Sequence, residues 1–399
     1  MRNVLVAFFI LFFVYSSSLA EEYKIESGIT ITEHNYEQYI PELKRLLIPS
    51  AFPTVINGLK EGWINVPVIE KGYYPAPRGF AEFTRKNAGK FKVGKDNMLV
   101  GEKWQAGLPF PEPKTGAEFG WNAYRRYCNE ECVFPKVIFW LFNKNGQLER
   151  KFGFNLYRKF WFGRTDIPPV PEIPGNNGKL NCKEAIVVLH PFDVKGFSMV
   201  RIRYEELYKE DDVYSYIPAI RRLRRLTGAD VTDPMLGSDA CYDDFEVFRQ
   251  KINTRMSFKF LEVKDFLVPK HYNKRPKEPF IKRNCFQVEW EIRPSWVLEM
   301  YENDPNYAYS KRVLYIEKEA GISNCHAGEN YDQKGRLFKV NTPIVWARDD
   351  VTRLYGWFGG LYKDHISGHT TVMDLVPYWK NPMIPLDKFS MKVLLREAR

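Results

Sequence analysis

Residues 137–162 read VIFWLFNKNGQLERKFGFNLYRKFWF, and this stretch decides the fold class. An apolar, aromatic run from Val137 to Phe142 meets the turn Lys144-Asn145-Gly146, and the chain returns through Gln147 to Phe162. Asn-Gly tolerates the positive φ angles of a tight hairpin, so antiparallel pairing is expected to start here. A proline-rich loop, Ile167 to Gly178, follows. Strand-like runs then recur at Ala185 to Leu189, Phe197 to Tyr204, Val213 to Ile217, Ser257 to Val263, Phe286 to Ile292, Trp296 to Tyr301 and Lys311 to Glu317, with two more at Leu337 to Val340 and His369 to Leu375. None precedes a long helical pattern, which argues against a parallel doubly wound sheet. The expectation is a mainly β fold with a few helices, in which one large antiparallel sheet curls and leaves an apolar trough on its concave face.

Upstream, residues 35–62 carry helical spacing (Tyr39, Leu43, Leu46, Leu47, then Ala51 to Leu59), with Asn35 as the expected cap and with Pro41 and Pro53 limiting length. Val66 to Pro113 is punctuated by Gly and Pro, too often for a long element. The division expected is 1–20 as a signal peptide, 21–133 as a helical and irregular lead-in, and 134–399 as the sheet, the last two forming one unit. In the first segment Arg2 precedes an apolar run from Val4 to Tyr15, and Ser18-Leu19-Ala20 offers a small-x-small cleavage site before Glu21. That run is shorter than the roughly 20 residues a membrane-crossing helix needs, so no integral membrane segment is expected. Cleavage after Ala20 would deliver the chain to the periplasm.

Composition narrows the function classes. A hydrophobic fraction of 44% excludes a disordered chain, and 29 Phe, 23 Tyr and 10 Trp supply rings enough to line a cavity as well as a core. The net charge of +10 would suggest nucleic acid in a cytosolic protein, but export redirects it to anionic headgroups or acidic partner surfaces, with no nucleic acid. Cys128, Cys132, Cys182, Cys241, Cys285 and Cys325 are, in an exported chain, candidates for up to three disulfides of undetermined pairing.

The segments that could carry chemistry are few. Arg221, Arg222, Arg224 and Arg225 place four guanidinium groups in five residues, which could hold an anionic headgroup or form an ion-pair ladder with nearby carboxylates. Asp233 to Phe245 reads as a turn into a short helix, its carboxylates suited to capping rather than to the twelve-residue calcium loop. His365 and His369 are four apart, but the intervening Ser367-Gly368 favours a loop over a metal-binding helix face. There is no G-x-S-x-G elbow, P-loop or G-x-G-x-x-G, so no catalytic residue, metal or cofactor is assigned. Phe139, Trp140, Phe142, Phe154, Phe160 and Trp161 are the candidate walls of the trough.

Three blocks taken together carry a resemblance: Gly107-Leu108-Pro109-Phe110-Pro111 with Gly120-Trp121-Asn122 and Arg125-Arg126-Tyr127, then Tyr216 to Leu226, then Gly237-Ser238-Asp239 with Asp243-Asp244-Phe245. From about Tyr74 to Arg399 the chain resembles an uncharacterised family of exported bacterial proteins similar to the outer-membrane lipoprotein-sorting proteins of the LolA/LolB superfamily. The resemblance implies an incomplete β-barrel closed by helices, an interior that shields acyl chains, and partnership with an exporter of the resistance-nodulation-division type or with an outer-membrane protein. It supplies no catalytic residues. The long lead-in and the six cysteines depart from the smaller carriers. The function expected is a non-enzymatic periplasmic carrier for a lipid or other hydrophobic molecule, with the arginine segment touching the headgroup. The alternatives are an envelope scaffold docking a protein on its concave face, and an exported hydrolase.

Overall fold

The computed structural model describes residues 24–128, 130–226, 232–269, 281–283, 285–348, 355–375 and 384–398. The expected signal segment, Met1 to Ala20, lies outside the described residues.

Thirteen strands form one antiparallel sheet. In chain order they are β1 (Glu131–Phe142), β2 (Leu148–Phe160), β3 (Leu180–His190), β4 (Ser198–Tyr204), β5 (Asp212–Ile217), β6 (Arg222–Leu226), β7 (Met256–Pro269), β8 (Trp290–Glu302), β9 (Lys311–Glu317), β10 (Cys325–Tyr331), β11 (Leu337–Arg348), β12 (Tyr355–Asp364) and β13 (Thr370–Asp374). Their spatial order, β6-β5-β4-β3-β2-β1-β13-β12-β11-β10-β9-β8-β7, joins two meanders through the pairing of β1 with β13. The sheet is curved and does not close, since β6 and β7 are its two edges. This is the mainly β, curved antiparallel sheet that the alternating runs implied, and the unclosed barrel that the resemblance implied.

The opening hairpin forms as read. Phe142 pairs with Leu148, the Gly146 amide donates to the Asn143 carbonyl at 2.9 Å, and Gly146 adopts φ +72°, which a side chain would resist. Three strands in the second meander went unread: β10, β12 and most of β11. The runs Phe286 to Ile292 and Trp296 to Tyr301 turn out to be largely one strand, β8, passing through Pro294. Proline is tolerated there because β9 pairs with β8 only from Ser295 onward, so the missing N–H would have had no ladder partner on that side.

The 35–62 region folds as a 3-10 turn (Tyr36–Tyr39) and two helices, α1 (Ile40–Leu46) and α2 (Phe52–Lys60), with each proline in the first turn of its helix, where a missing N–H costs nothing. Asn35 does not cap. Its side chain instead accepts from the Thr32 amide at 2.8 Å and donates to the Thr30 carbonyl, closing the preceding turn. The lead-in holds two further helices, α3 (Arg78–Lys86) and α4 (Gly116–Tyr124), the latter started by a Thr115/Glu118 capping box. The last helix, α5 (Met391–Glu397), covers β3 and β4.

Strand alternation sorts the side chains between two faces. Trp140, Leu361 and Val372 meet α1 and α2, whose Leu43, Leu46 and Leu59 are fully buried, each stabilising the fold by roughly 1.5–3 kcal/mol. Their sequence neighbours Phe139, Tyr362 and Met373 point the other way, onto a segment from Thr232 to Arg255 that crosses the opposite face. Helices α1, α2 and α5 therefore share one face, the helix face. The other is covered by α4 and the crossing segment.

Candidate functional site

An apolar chamber lies on the helix face. The linker between α1 and α2 is pinned to the sheet where the Ser50 amide donates to Glu329 Oε1 at 2.9 Å, and this holds the start of α2 away from the strands. Ile48, Ala51 and Val55 form its roof, and Val268, Trp290 and Leu361 form its floor. The chamber contains about 850 Å³ of atom-free space, much of it continuous with open solvent.

A few polar groups interrupt this apolar lining. Lys363 follows Leu361 on the same side of β12, and its ammonium donates to Thr54 Oγ1 at 2.9 Å. Burial holds its pKa below the ordinary lysine value. One turn further on, His365 carries a buried Nε2 with no hydrogen-bond partner, and burial, reinforced by the Lys363 charge, takes its pKa down to about 4. Among the described residues, Ser50 Oγ and Thr370 Oγ1 likewise are buried without partners, and both line the chamber. Buried hydroxyls and ring nitrogens are normally satisfied, and unpaired ones cost about 1–3 kcal/mol each. Four polar side chains therefore converge on an apolar space with unused hydrogen-bonding capacity.

Thr54 and Lys363 also border a second, wider cavity that opens outward. Its rim carries Lys144, from the β1–β2 turn, and Arg283, which pairs with Glu61 at 2.8 Å. With three cations against one carboxylate, this vestibule is electropositive. The assembly is an apolar chamber whose cationic mouth is marked by Lys363.

On the opposite face, the sheet beneath the crossing segment is closed by contrast. Phe139, Phe152 and Phe154 pack on one another and against Ala240 and Phe245 of the crossing segment. Alongside them runs a buried ion network. Glu246 takes Arg158, Arg126 (3.2 Å) and Arg249 (3.4 Å), Glu184 takes Arg158 (2.7 Å) and Arg249 (3.0 Å), and Asp211 takes Arg201 and Arg203 at 2.6 and 3.0 Å. Burial alone would raise the Glu184 carboxyl, but Arg249, Arg158, Arg201 and Arg203 together bring it down to about 2.

The residues proposed from sequence scatter. Phe139 and Phe154 belong to the closed core. Trp140 and Phe142 point to the helix face but pack under α1 and α2 without lining the chamber, Phe160 borders a different pocket, and Trp161 packs on Phe389 beside α5. The trough is thus on the helix face, and these six rings are not its walls. Arg221, Arg222, Arg224 and Arg225 lie exposed on the edge strand β6 and its turn, away from the chamber. Arg225 pairs with Asp212, the ladder alternative, while Asp211 goes to Arg201 and Arg203.

None of the six cysteines forms a disulfide, which corrects that expectation. Cys128 and Cys182 flank the Arg249 guanidinium, at 4.0 and 3.9 Å, without meeting each other in a disulfide. The Cys128 thiol donates to Glu246 at 3.3 Å, Cys241 lies 3.9 Å from the Tyr309 hydroxyl, Cys132 and Cys325 sit in different core clusters, and Cys182 is on β3. Burial raises the Cys128 and Cys325 thiols to about 11.

The Asp233 to Phe245 carboxylates are engaged internally: Asp243 accepts from Tyr307 and Asp244 from Tyr309, each at 2.8 Å. His365 and His369 sit at the β12–β13 turn, the loop expected. His369 lies between Asp239 (Nδ1, 2.6 Å) and Glu149 (Nε2, 3.1 Å), an arrangement that ties the crossing segment to β13 and leaves the ring no nucleophile to activate. Among the described residues no three His, Cys, Asp or Glu side chains could jointly hold a metal ion.

Lys363, His365, Thr54 and Ser50 were missed. The available signal was a lysine two residues after Leu361 in a run of alternating character. Reading it required the register of a strand that had not been identified.

A family profile described as "Protein of unknown function (DUF1329)" matches residues 30–391. The fold is shared with a putative outer-membrane lipoprotein-sorting protein domain from Vibrio parahaemolyticus, 18% identical, which covers 70% of this chain and 98% of its own, with a TM-score of 0.50. A DUF1329 protein from Desulfovibrio piger is 17% identical over 67% of this chain and 92% of its own, at a TM-score of 0.48. A LolA-superfamily protein from Nitrosomonas europaea is 13% identical over 66% and 92%, at 0.41. No curated protein matches the chain.

Proposed function

The chain belongs to the DUF1329 family, and on that premise we propose that it is a non-enzymatic carrier that holds one anionic amphiphile, tail in the helix-face chamber and headgroup at Lys363. The observation that carries this reading is the chamber itself, an apolar space whose exit passes a buried ammonium into a cationic vestibule. Each methylene transferred into it contributes about 0.8 kcal/mol, so roughly ten methylenes offset the cost of immobilising the molecule and leave useful affinity. The head, at the mouth, would take up the hydrogen-bonding capacity of Lys363, and the chamber hydroxyls would order the first carbons or bound water. The reading of Met1 to Ala20 as an export signal places this work in the periplasm, where an envelope exporter or an outer-membrane protein would supply or receive the cargo. A docking scaffold would have its trough filled by the protein's own side chains. That describes the opposite face beneath the Thr232 to Arg255 segment, whereas the helix face holds open space under α1 and α2.

The test is binding of oleate and of oleyl alcohol to the full chain. Lys363→Met weakens oleate about tenfold while leaving the alcohol unchanged, and Ala51→Phe, which fills the chamber, abolishes both. Absence of binding by either lipid would defeat the carrier reading. Equal loss of both lipids on Lys363→Met would defeat the placement of the head.

A further inference from the structure

A second pocket, on the other side of the sheet from the chamber, is built around Arg125. Gly107 starts its construction: it adopts φ +76°, and an added Cβ would lie 2.5 Å from the Thr84 amide nitrogen. Its carbonyl accepts the Trp104 indole N–H at 3.0 Å, and this fixes the Trp104 ring against the guanidinium of Arg125, 3.9 Å from the ring centroid. Tyr124 lies at 5.0 Å and Trp121 at 6.0 Å. Phe80, Phe160 and Phe162 continue the wall around some 630 Å³ of atom-free space, partly open to solvent. Gly107 and Arg125-Arg126-Tyr127, from the two ends of the first sequence block that carried the family resemblance, thus meet at one cavity.

The charges lining it are not all paired in contact. Arg126, Arg203 and Arg249 border the pocket, but each is matched by Glu246, Asp211 or Glu184. Glu130 also borders it, with its oxygens committed to the amides of Thr165, Asp166 and Ile167. Arg125 has no such match: its Nε is buried without an acceptor, and among the described residues no carboxylate pairs with it. Glu205, the nearest acid that acts on it, stands 3.7 Å from Lys103. Stacking on rings favours the cation but supplies no hydrogen-bond acceptor, and five fork-arranged donors are the geometry that binds a carboxylate bidentately.

We propose that this pocket is a binding site for a small monocarboxylate with a flat apolar body, its carboxylate forked by Arg125 and its body held among Trp104, Phe160 and Phe162. One unmatched cation calls for one negative charge, and the Glu130 carboxylate on the wall disfavours a dianion such as a phosphate monoester. The site is independent of the carrier chamber.

Benzoate is the probe, with benzamide as its neutral isostere and phenyl phosphate as the dianion, each followed by ligand-observed saturation-transfer NMR and titration on the full chain. Benzoate is expected to bind and benzamide not. Arg125→Gln weakens benzoate roughly tenfold or more, and Arg125→Lys, which keeps the charge but loses the fork, falls between. Oleate does not compete. The proposal is overturned if wild-type protein treats benzoate and benzamide alike, if both Arg125 variants bind benzoate as wild type does, or if phenyl phosphate binds more tightly than benzoate. Should Arg125→Gln fail to fold, the lysine variant and the benzoate/benzamide pair still decide.

Discussion

The two faces of one sheet are covered by different chemistry. On the helix face, α1 and α2 bring aliphatic side chains that leave a chamber with unpaired polar groups at its edge. On the opposite face, the segment from Thr232 to Arg255 brings carboxylates and guanidiniums that pair almost completely with charges projecting from the strands. Buried charges must be neutralised in place, so that face is closely specified and has little freedom to open. An apolar contact has no such requirement, and empty space in it costs only the dispersion and transfer energy of the missing atoms. The difference assigns rigidity to the part of the sheet under the crossing segment and capacity to the part under α1 and α2.

Three measurements would break or sharpen this contrast. The largest effect is expected at Glu246, where Glu246→Gln leaves Arg126, Arg158 and Arg249 short of a counter-charge. Chemical denaturation should show a loss of about 3–5 kcal/mol, with oleate uptake retained by whatever fraction stays folded. A loss below 1 kcal/mol would mean that the network does not hold that face.

The second is the acid limb. His365 has its folded pKa lowered from 6.5 to about 4, so the unfolded chain binds this proton first and stability falls as pH drops through that window. Glu184 has its carboxyl lowered from 4.5 to about 2, so its contribution is present above about 4.5 and is lost below, toward 2. The helix face therefore weakens first and the ion network second. His365→Asn should flatten the upper part of the stability profile, by on the order of 1 kcal/mol once the partial exposure of the ring is allowed for, and leave the lower part in place.

The smallest effect is expected for Arg222→Ala with Arg224→Ala. Both side chains are exposed on an edge strand, so stability should change by less than about 0.5 kcal/mol and oleate affinity should not change. A selective loss of oleate binding would return the headgroup contact to β6, where the sequence reading had put it.

Much of the architecture was legible from local pattern. The hairpin at 137–162 could be read because Asn145-Gly146 and two alternating runs satisfy backbone and side-chain requirements within a short span. The prolines at 41 and 53, read as limits on helix length, sit instead in the first turns of α1 and α2, where no N–H is required. Strands β10 and β12 escaped because they are rich in Gly, Asn and charged residues (Cys325–Tyr331 contains His326, Gly328, Glu329 and Asn330), whose partners are supplied by distant elements. Helix α4 was hidden among glycines, although its Thr115/Glu118 box was present in the sequence.

The chain by itself determined the antiparallel class, because alternation and turn chemistry are properties of neighbours in sequence, and its blocks carried the sorting-protein likeness, which implied the incomplete barrel. Only the tertiary structure decided which face holds the chamber, that Phe139 and Phe154 belong to a closed core, that the cysteines remain thiols, and that Lys363 and Arg125 border two separate cavities. These outcomes depend on register, where a slip of one residue exchanges every side chain between faces, and on which distant charge arrives to neutralise each buried one.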